Sequence, residues 1–248
     1  MPEEQRLEEQ ILSQEAQRRL SQQLDEVEKI NVNVQTDLLK IIQGQANGVS
    51  VAGRGLVMRN IRIQELKLQT DGISINPFSA LFGEIELNHP INATARIVLT
   101  EADINRALAS NDFRSTVQNF DLDVDGEIVS FQPQEIQINL PGNGKIEFTG
   151  KILLHEGNTR QLGFTAVVRP RTLSQPIMME TFICNQGDGI SLEIIAVLMQ
   201  KLKELVNLPY FEFEDMVLRI KSMEVHKGRL ILLVEAYVKQ IPISESNF

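Results

Sequence analysis

Apolar and polar residues alternate with a rhythm that changes along this chain. From residue 3 to 28 the apolar positions Leu12, Ala16, Leu20, Leu24 and Val27 recur every three or four residues, with Leu7 and Ile11 on a neighbouring track. That spacing predicts one amphipathic helix. Pro2 suits a first helical position, and Glu3, Glu4, Glu8 and Glu9 sit where the helix dipole favours acid. Membrane-surface helices favour Lys and Arg on the polar face. Glu and Gln dominate here, so the expected use is packing against the rest of the domain. From Ile30 the period becomes two: Ile30, Val32 and Val34 alternate with Asn31, Asn33 and Gln35, a half-buried strand. Asp37 is placed to cap a short helix through Leu38, Leu39, Ile41 and Ile42 that stops near Gly44. Strands are predicted over 49–58 and 60–69. Ile61 and Ile63 share one face, whereas Leu66 and Leu68 have the opposite parity, so a β-bulge is expected at Gln64-Glu65.

Residues 77–82 read as a short apolar helix or turn, and 84–87 and 93–99 as strands. Thr100 opens a helix as its cap, with Asp103 three residues on and Leu99 placed to staple Ile104. Glu101 and Asp103 could be a catalytic carboxylate pair, but no histidine or metal cluster supports them, so capping and dipole stabilisation are expected. Beyond Val117 long strands dominate. Ile136, Ile138 and Leu140 lead to Asn143-Gly144, which predicts a two-residue type I′ hairpin. Ile146, Phe148, Ile152 and Leu154 return from it. Gly157-Asn158 makes the next turn, and Leu162, Phe164, Ala166 and Val168 form a strand that Pro170 ends. Another strand is predicted over 178–184. Leu192, Ile195, Met199, Leu202 and Val206 predict a second long helix over 191–207, which Pro209 stops. A last hairpin, 216–225 with 229–238, turns at Lys227-Gly228. Its second strand is apolar on both faces at its start, with Leu230 and Leu232 on one and Ile231 and Leu233 on the other.

Helices and strands do not alternate as a parallel sheet demands, so the fold class is α+β with an antiparallel sheet. No composition break marks a second domain. The expected organisation is an N-terminal helix (1–28), one domain (29–242) and a short tail (243–248).

Composition narrows the function. The 248 residues carry a net charge of −9, against a nucleic-acid partner, and there is no tryptophan to stack bases. No run approaches the ~20 apolar residues of a membrane-spanning helix. The opening MPEEQRLEEQ is acidic and polar, unlike an export signal, and leads to the expectation of a cytoplasmic protein, at most peripheral to a membrane. Cys184 is the single cysteine and reads as a half-buried strand residue. His89, His155 and His226 are far apart and each reads as an exposed turn residue, so no metal is expected. Gly144-Lys145 lacks the other positions of a phosphate loop, and no hydrolase, metalloprotease or dinucleotide motif is present. No cofactor and no enzymatic activity are expected.

The stretch 53–108 carries a resemblance. Gly53-Arg54-Gly55-Leu56, the Leu66-to-Leu68 strand followed by Asp71, Asn76-Pro77 leading to Leu81, Gly83-Glu84-Ile85-Glu86-Leu87, and Leu99-Thr100-Glu101-Ala102-Asp103-Ile104-Asn105-Arg106-Ala107-Leu108 together resemble the LmeA-type phospholipid-binding family of bacterial proteins. The resemblance extends over residues 30–240. It implies a long, curved antiparallel sheet wrapped around a helix, as in tubular lipid-binding domains, with 191–207 as the wrapped helix. It implies a non-enzymatic protein that holds phospholipid or another acyl-chain lipid in an apolar slot, for carriage or membrane-lipid homeostasis. Strand parity combined with that fold nominates Leu66, Leu68, Ile85, Leu87, Phe148, Phe164 and Leu198 to line the slot. Phe78, Leu81 and Phe82 would plug the barrel end or form a lip that meets the membrane. Arg54, Arg59, Arg62 and Lys67 would hold the head group by charge-assisted hydrogen bonds or stand as ordinary solvent-facing strand positions. The alternative is a structural or adaptor protein with a filled core, whose N-terminal helix docks a partner.

Overall fold

The computed structural model describes residues 7–58, 60–76, 86–110, 120–156, 158–186, 191–197, 200, 210–213 and 215–240. The fold is α+β, built mostly of antiparallel strands with a strongly curled sheet and few helices. The helices are α1 (Leu7–Gln22), α2 (Leu38–Ile42) and α3 (Glu101–Leu108), with a further helical segment at 192–197. In the first part of the chain the strands are β1 (Glu26–Gln35), β2 (Gln45–Ala46), β3 (Gly48–Met58), β4 (Ile61–Thr70), β5 (Ile73–Ser74) and β6 (Ile91–Thr100). Then follow β7 (Phe120–Val124), β8 (Glu127–Asn139), β9 (Ile146–Glu156), β10 (Asn158–Arg169) and β11 (Met178–Gln186). β12 (Phe211–Phe213), β13 (Met216–His226) and β14 (Arg229–Val238) end the order. They form a seven-stranded sheet in the order β1-β3-β4-β6-β14-β13-β12, a five-stranded sheet β11-β10-β9-β8-β7 and the small pair β2-β5. The chain divides into two compact units: Met1–Val98, Pro209–Lys221 and Leu232–Phe248 in the first, Leu99–Leu208 and Ser222–Ile231 in the second.

In the first unit the core comprises Ile30, Val32, Val34, Val51 and Leu56, with Ile63, Leu66 and Leu68 packed against it from β4. Leu12, Ala16 and Leu20 of α1 close it from the other side. The helix expected to run to residue 28 stops at Gln22. Asp25 N–H already donates to Val57 O (2.9 Å), and from Glu26 the backbone is paired with β3. Ten residues of ladder outweigh the helical spacing of Leu24 and Val27, which still reach the same core, from the turn and from the strand. Ser13 Oγ and Glu9 Oε1 pin α1 to the end of β1 by accepting from Val34 N–H (2.9 Å) and Thr36 N–H (3.0 Å).

The parity change in β4 is real, but no bulge makes it. Arg54↔Glu65 and Leu56↔Ile63 hold one register on either side. Two other strands change parity at the same row. Val32, Val51 and Leu68 face the core as one row, and Ile30, Gly53 and Leu66 as the next. Past the row of Glu28, Gly55 and Gln64, the core-facing set becomes Val27, Leu56 and Ile63. Gly55 makes this change of face, with φ +57°. A Cβ there would also fall 2.2 Å from the Cδ of Glu28, whose side chain lies across it and pairs with Arg62.

In the second unit Phe131 and Leu154 are fully buried with Leu122, Val124, Val129, Leu162 and Ile194. Ile194 and Val197 bring the helical segment 192–197 onto this core. Ser191 caps it, its Oγ accepting from Ile194 N–H (3.3 Å). The rest of the helix expected to reach Asn207 lies outside the described residues, apart from helical Gln200. The β8–β9 connection is not the two-residue turn that Asn143-Gly144 predicts. Gly142 and Gly144 take left-handed φ of 89° and 76°, and the connection begins at Leu140. Leu140 has other partners: its N–H donates to Glu101 Oε2 (2.6 Å) and its carbonyl accepts from Gly228 N–H (2.9 Å). Among the described residues β7 pairs with β8 as far as Phe131, and α3 meets the same strand further along. The Asn105 amide donates to Ile138 O (2.8 Å) and accepts from Ile138 N–H (2.7 Å), standing in for a strand. Of the predicted 84–87 strand, residues 84 and 85 lie outside the described residues, and Leu87 bridges Ile75 in antiparallel fashion.

Gly55→Ala is expected to lower unfolding free energy by about 1–2 kcal/mol, the cost of a left-handed conformation for a side chain. Gly55→Ala with Glu28→Ala should regain only the part due to the collision. Urea titrations of the single and double variants check this; a silent Gly55→Ala would remove the pivot from this account.

Candidate functional site

The sequence nominates an apolar slot, a lip and a cationic cluster. Of the slot residues, Leu66 and Leu68 lie half-buried on β4, against the core that α1 covers. Leu87 is buried in the same unit, its N–H donating to Gln240 Oε1 (3.3 Å). Phe148 and Phe164 belong to the second unit, half-buried on the apolar face of β9 and β10. Phe164 stacks on Phe182 of β11, with centroids 5.6 Å apart and rings inclined by 15°. Its ring fills the space over Gly150, where a Cβ would lie 2.7 Å from Cε1. The first unit thus gathers three nominated residues and the second gathers two. Ile85, Leu198, Arg59 and all three lip residues, Phe78, Leu81 and Phe82, lie outside the described residues. The chain leaves for the lip segment at Asn76 and returns at Glu86, where Asn76 N–H donates to Glu86 O (2.8 Å).

The cations separate by their partners. Arg62 pairs with Glu28 and, at 3.9 Å, with Glu26; Arg54 faces Glu65 at 3.8 Å. Lys67 stands directly opposite Arg96 on β6, a cation the sequence did not nominate. Neither has an acidic partner within ion-pair distance among the described residues.

The structure adds an apolar surface that sequence reasoning passed over. On α2, Leu38, Leu39 and Ile42 are 57, 73 and 70% exposed. Asp37 caps this single turn from Oδ1, and Gly44, with φ 69°, ends it. The signal was present: four aliphatics in five residues of one helical turn cannot all face inward.

The carboxylates near Thr100 are structural. Thr100 Oγ1 accepts from Asp103 N–H (3.1 Å) and donates to Asp103 Oδ2 (2.6 Å). Glu101 has a second role besides its place in the first helical turn, since it holds Leu140 N–H. His155 is a half-buried β9 residue bonded to Thr159 Oγ1 (2.9 Å), not an exposed turn residue. His226, exposed at the end of β13, faces Glu224. No group of potential metal ligands occurs among the described residues. Cys184 is half-buried on β11, and burial raises its thiol pKa.

A family model described as LmeA-like phospholipid-binding matches residues 4–235. The chain belongs to this family. No curated protein and no solved structure matches the chain. The family description names phospholipid as the ligand class, and the LmeA-like match includes α1, which the sequence resemblance left unexplained. Among the described residues no helix is long and apolar enough to cross a membrane, which says nothing of a β-barrel.

Glu101→Ala leaves the buried Leu140 N–H without its acceptor. It should cost about 1–3 kcal/mol of stability, with phospholipid binding unchanged. Chemical denaturation beside a lipid-binding assay checks both; lost binding in a fully stable variant would return Glu101 to the functional residues.

Proposed function

We propose that this protein binds phospholipid without chemical turnover, visiting a lipid surface through α2 and holding acyl chains against its apolar strand faces. Membership of a phospholipid-binding family supports the ligand class. The observation that carries the membrane contact is the exposure of Leu38, Leu39 and Ile42 on one helical turn. Taking such a side chain fully out of water yields ~1.5–3 kcal/mol, so three give roughly 5 kcal/mol before ordering costs. That is a weak, reversible attachment, suited to a protein that collects a lipid and leaves. The net charge of −9 favours zwitterionic over anionic surfaces.

In this reading Leu66, Leu68, Ile85, Leu87, Phe148, Phe164 and Leu198 are the positions for acyl chains. Phe78, Leu81 and Phe82 are a second membrane contact. In this reading the bound lipid is carried or held for membrane-lipid homeostasis. An adaptor that offers its N-terminal helix to a partner has less support, because Leu12, Ala16 and Leu20 of α1 pack on the first unit's core, leaving Leu7 and Ile11 exposed.

Flotation with phosphatidylcholine vesicles tests the contact. Wild-type protein is expected to float, and the Leu39→Ser, Ile42→Ser double variant to remain at the bottom with its fold and melting temperature intact. Equal flotation would refute the α2 contact. Native mass spectrometry of protein purified without detergent tests the ligand: bound phospholipid near one per chain is expected, and a clean apo mass that persists after incubation with vesicles would exclude the carrier.

A further inference from the structure

The face of the first unit's sheet opposite its core holds a groove. Along that face Asn31, Ala52, Lys67 and Arg96 form one cross-strand row, and Asn33, Ser50, Gln69 and Thr94 the next. Short Ala52 and Ser50 on β3 leave a depression between longer neighbours on β1 and β4, with Leu233 of β14 closing the far side. The open cavity has a volume of about 340 Å³.

Its charge is one-sided. Lys67, Arg96, Asn31, Gln69, Ser50 and Thr94 line it, all of them hydrogen-bond donors, beside apolar Leu233, and among the described residues no carboxylate lines it. None of these six side chains has a hydrogen-bond or ion-pair partner among the described residues. The nearest acid along β4, Glu65, is one row away and faces Arg54. Lys67 and Arg96 are directly opposed cations, an arrangement that destabilises a sheet unless a negative charge sits between them. Guanidinium and ammonium donors flanked by hydroxyls and amides match the oxygens of a phosphate.

We propose that this groove is a phosphate-binding site with Lys67 and Arg96 as its anchoring cations. The phosphate belongs either to a phospholipid head group, which rests on the lipid-binding reading above, or to a free phosphate.

Titration calorimetry on the full chain, at constant ionic strength, with inorganic phosphate and with soluble dihexanoyl phosphatidylglycerol, tests it. Three proteins are compared: wild type, the Lys67→Gln, Arg96→Gln double variant, and Lys29→Gln as a same-face control. Wild type is expected to bind at least one probe, Lys29→Gln to match it, and the double variant to bind about tenfold more weakly or not at all. Circular dichroism should show the double variant as stable as wild type or more so. Loss of phosphate binding with phosphatidylglycerol binding intact assigns the groove to free phosphate. Loss of phosphatidylglycerol binding, alone or with phosphate, assigns it to the head group. Equal binding by wild type and double variant, equal weakening in Lys29→Gln, or no binding of either probe by wild type overturns the site. Phospholipid found by native mass spectrometry in that last case would leave the lipid-binding reading standing without it.

Discussion

Everything in the first unit depends on three strands changing face at one row without changing register. A strand's side chains alternate, so a slip in one strand alone would send its whole apolar set to solvent. Here β1, β3 and β4 turn together at Glu28, Gly55 and Gln64, and their pairing stays constant on both sides. The left-handed Gly55 permits the turn, and Glu28 occupies the space a side chain would need. Both halves of the sheet therefore present aliphatics to the core that α1 covers. The opposite face is left to Asn31, Ser50, Lys67, Gln69, Thr94 and Arg96, so the packed core and the donor-lined groove follow from one geometric decision.

The second unit solves a different problem. Among the described residues β7 pairs with β8 as far as Phe131, and backbone groups beyond it on that edge take other partners. α3 supplies partners from side chains. Asn105 offers an amide whose donor and acceptor match those of Ile138, and Glu101 takes Leu140 N–H. Two neighbouring carboxylates at a helix start can look like a catalytic pair in sequence. In this fold Asp103 holds the Thr100 hydroxyl and pairs with Arg106, and Glu101 holds a strand end, so both carboxylates already have partners.

Local signals were legible: the Thr100 and Asp37 caps, the strand periods, the turn at Lys227-Gly228 and the stop at Pro170. They are set by residues a few positions apart, and the family resemblance was carried by such segments. What sequence could not give was whatever depends on register between distant strands. The helix end at Gln22 is decided by pairing of β1 with β3, and the Asn143-Gly144 turn was displaced because Leu140 is bonded to residues 39 and 88 positions away. The seven slot residues were grouped by strand parity and by the fold that the resemblance implies. Parity predicts which face a side chain takes but not what covers that face, and at Leu66 and Leu68 the cover is a core closed by α1.

The same reasoning sorts the cations. Arg54, Arg62 and Lys67 are equivalent in sequence, basic residues on polar strand positions. Register separates them, because β3 and β4 set Arg54 against Glu65, β1 brings Glu28 to Arg62, and β6 gives Lys67 another cation. An ion pair between exposed side chains contributes little to stability, a median of about 0–1 kcal/mol, but it occupies the donors a ligand would need. A chain with a net charge of −9 has acids to spare for every surface cation. Among the described residues none faces Lys67 and Arg96, and two such residues set side by side are a cost to the empty sheet that an incoming anion cancels.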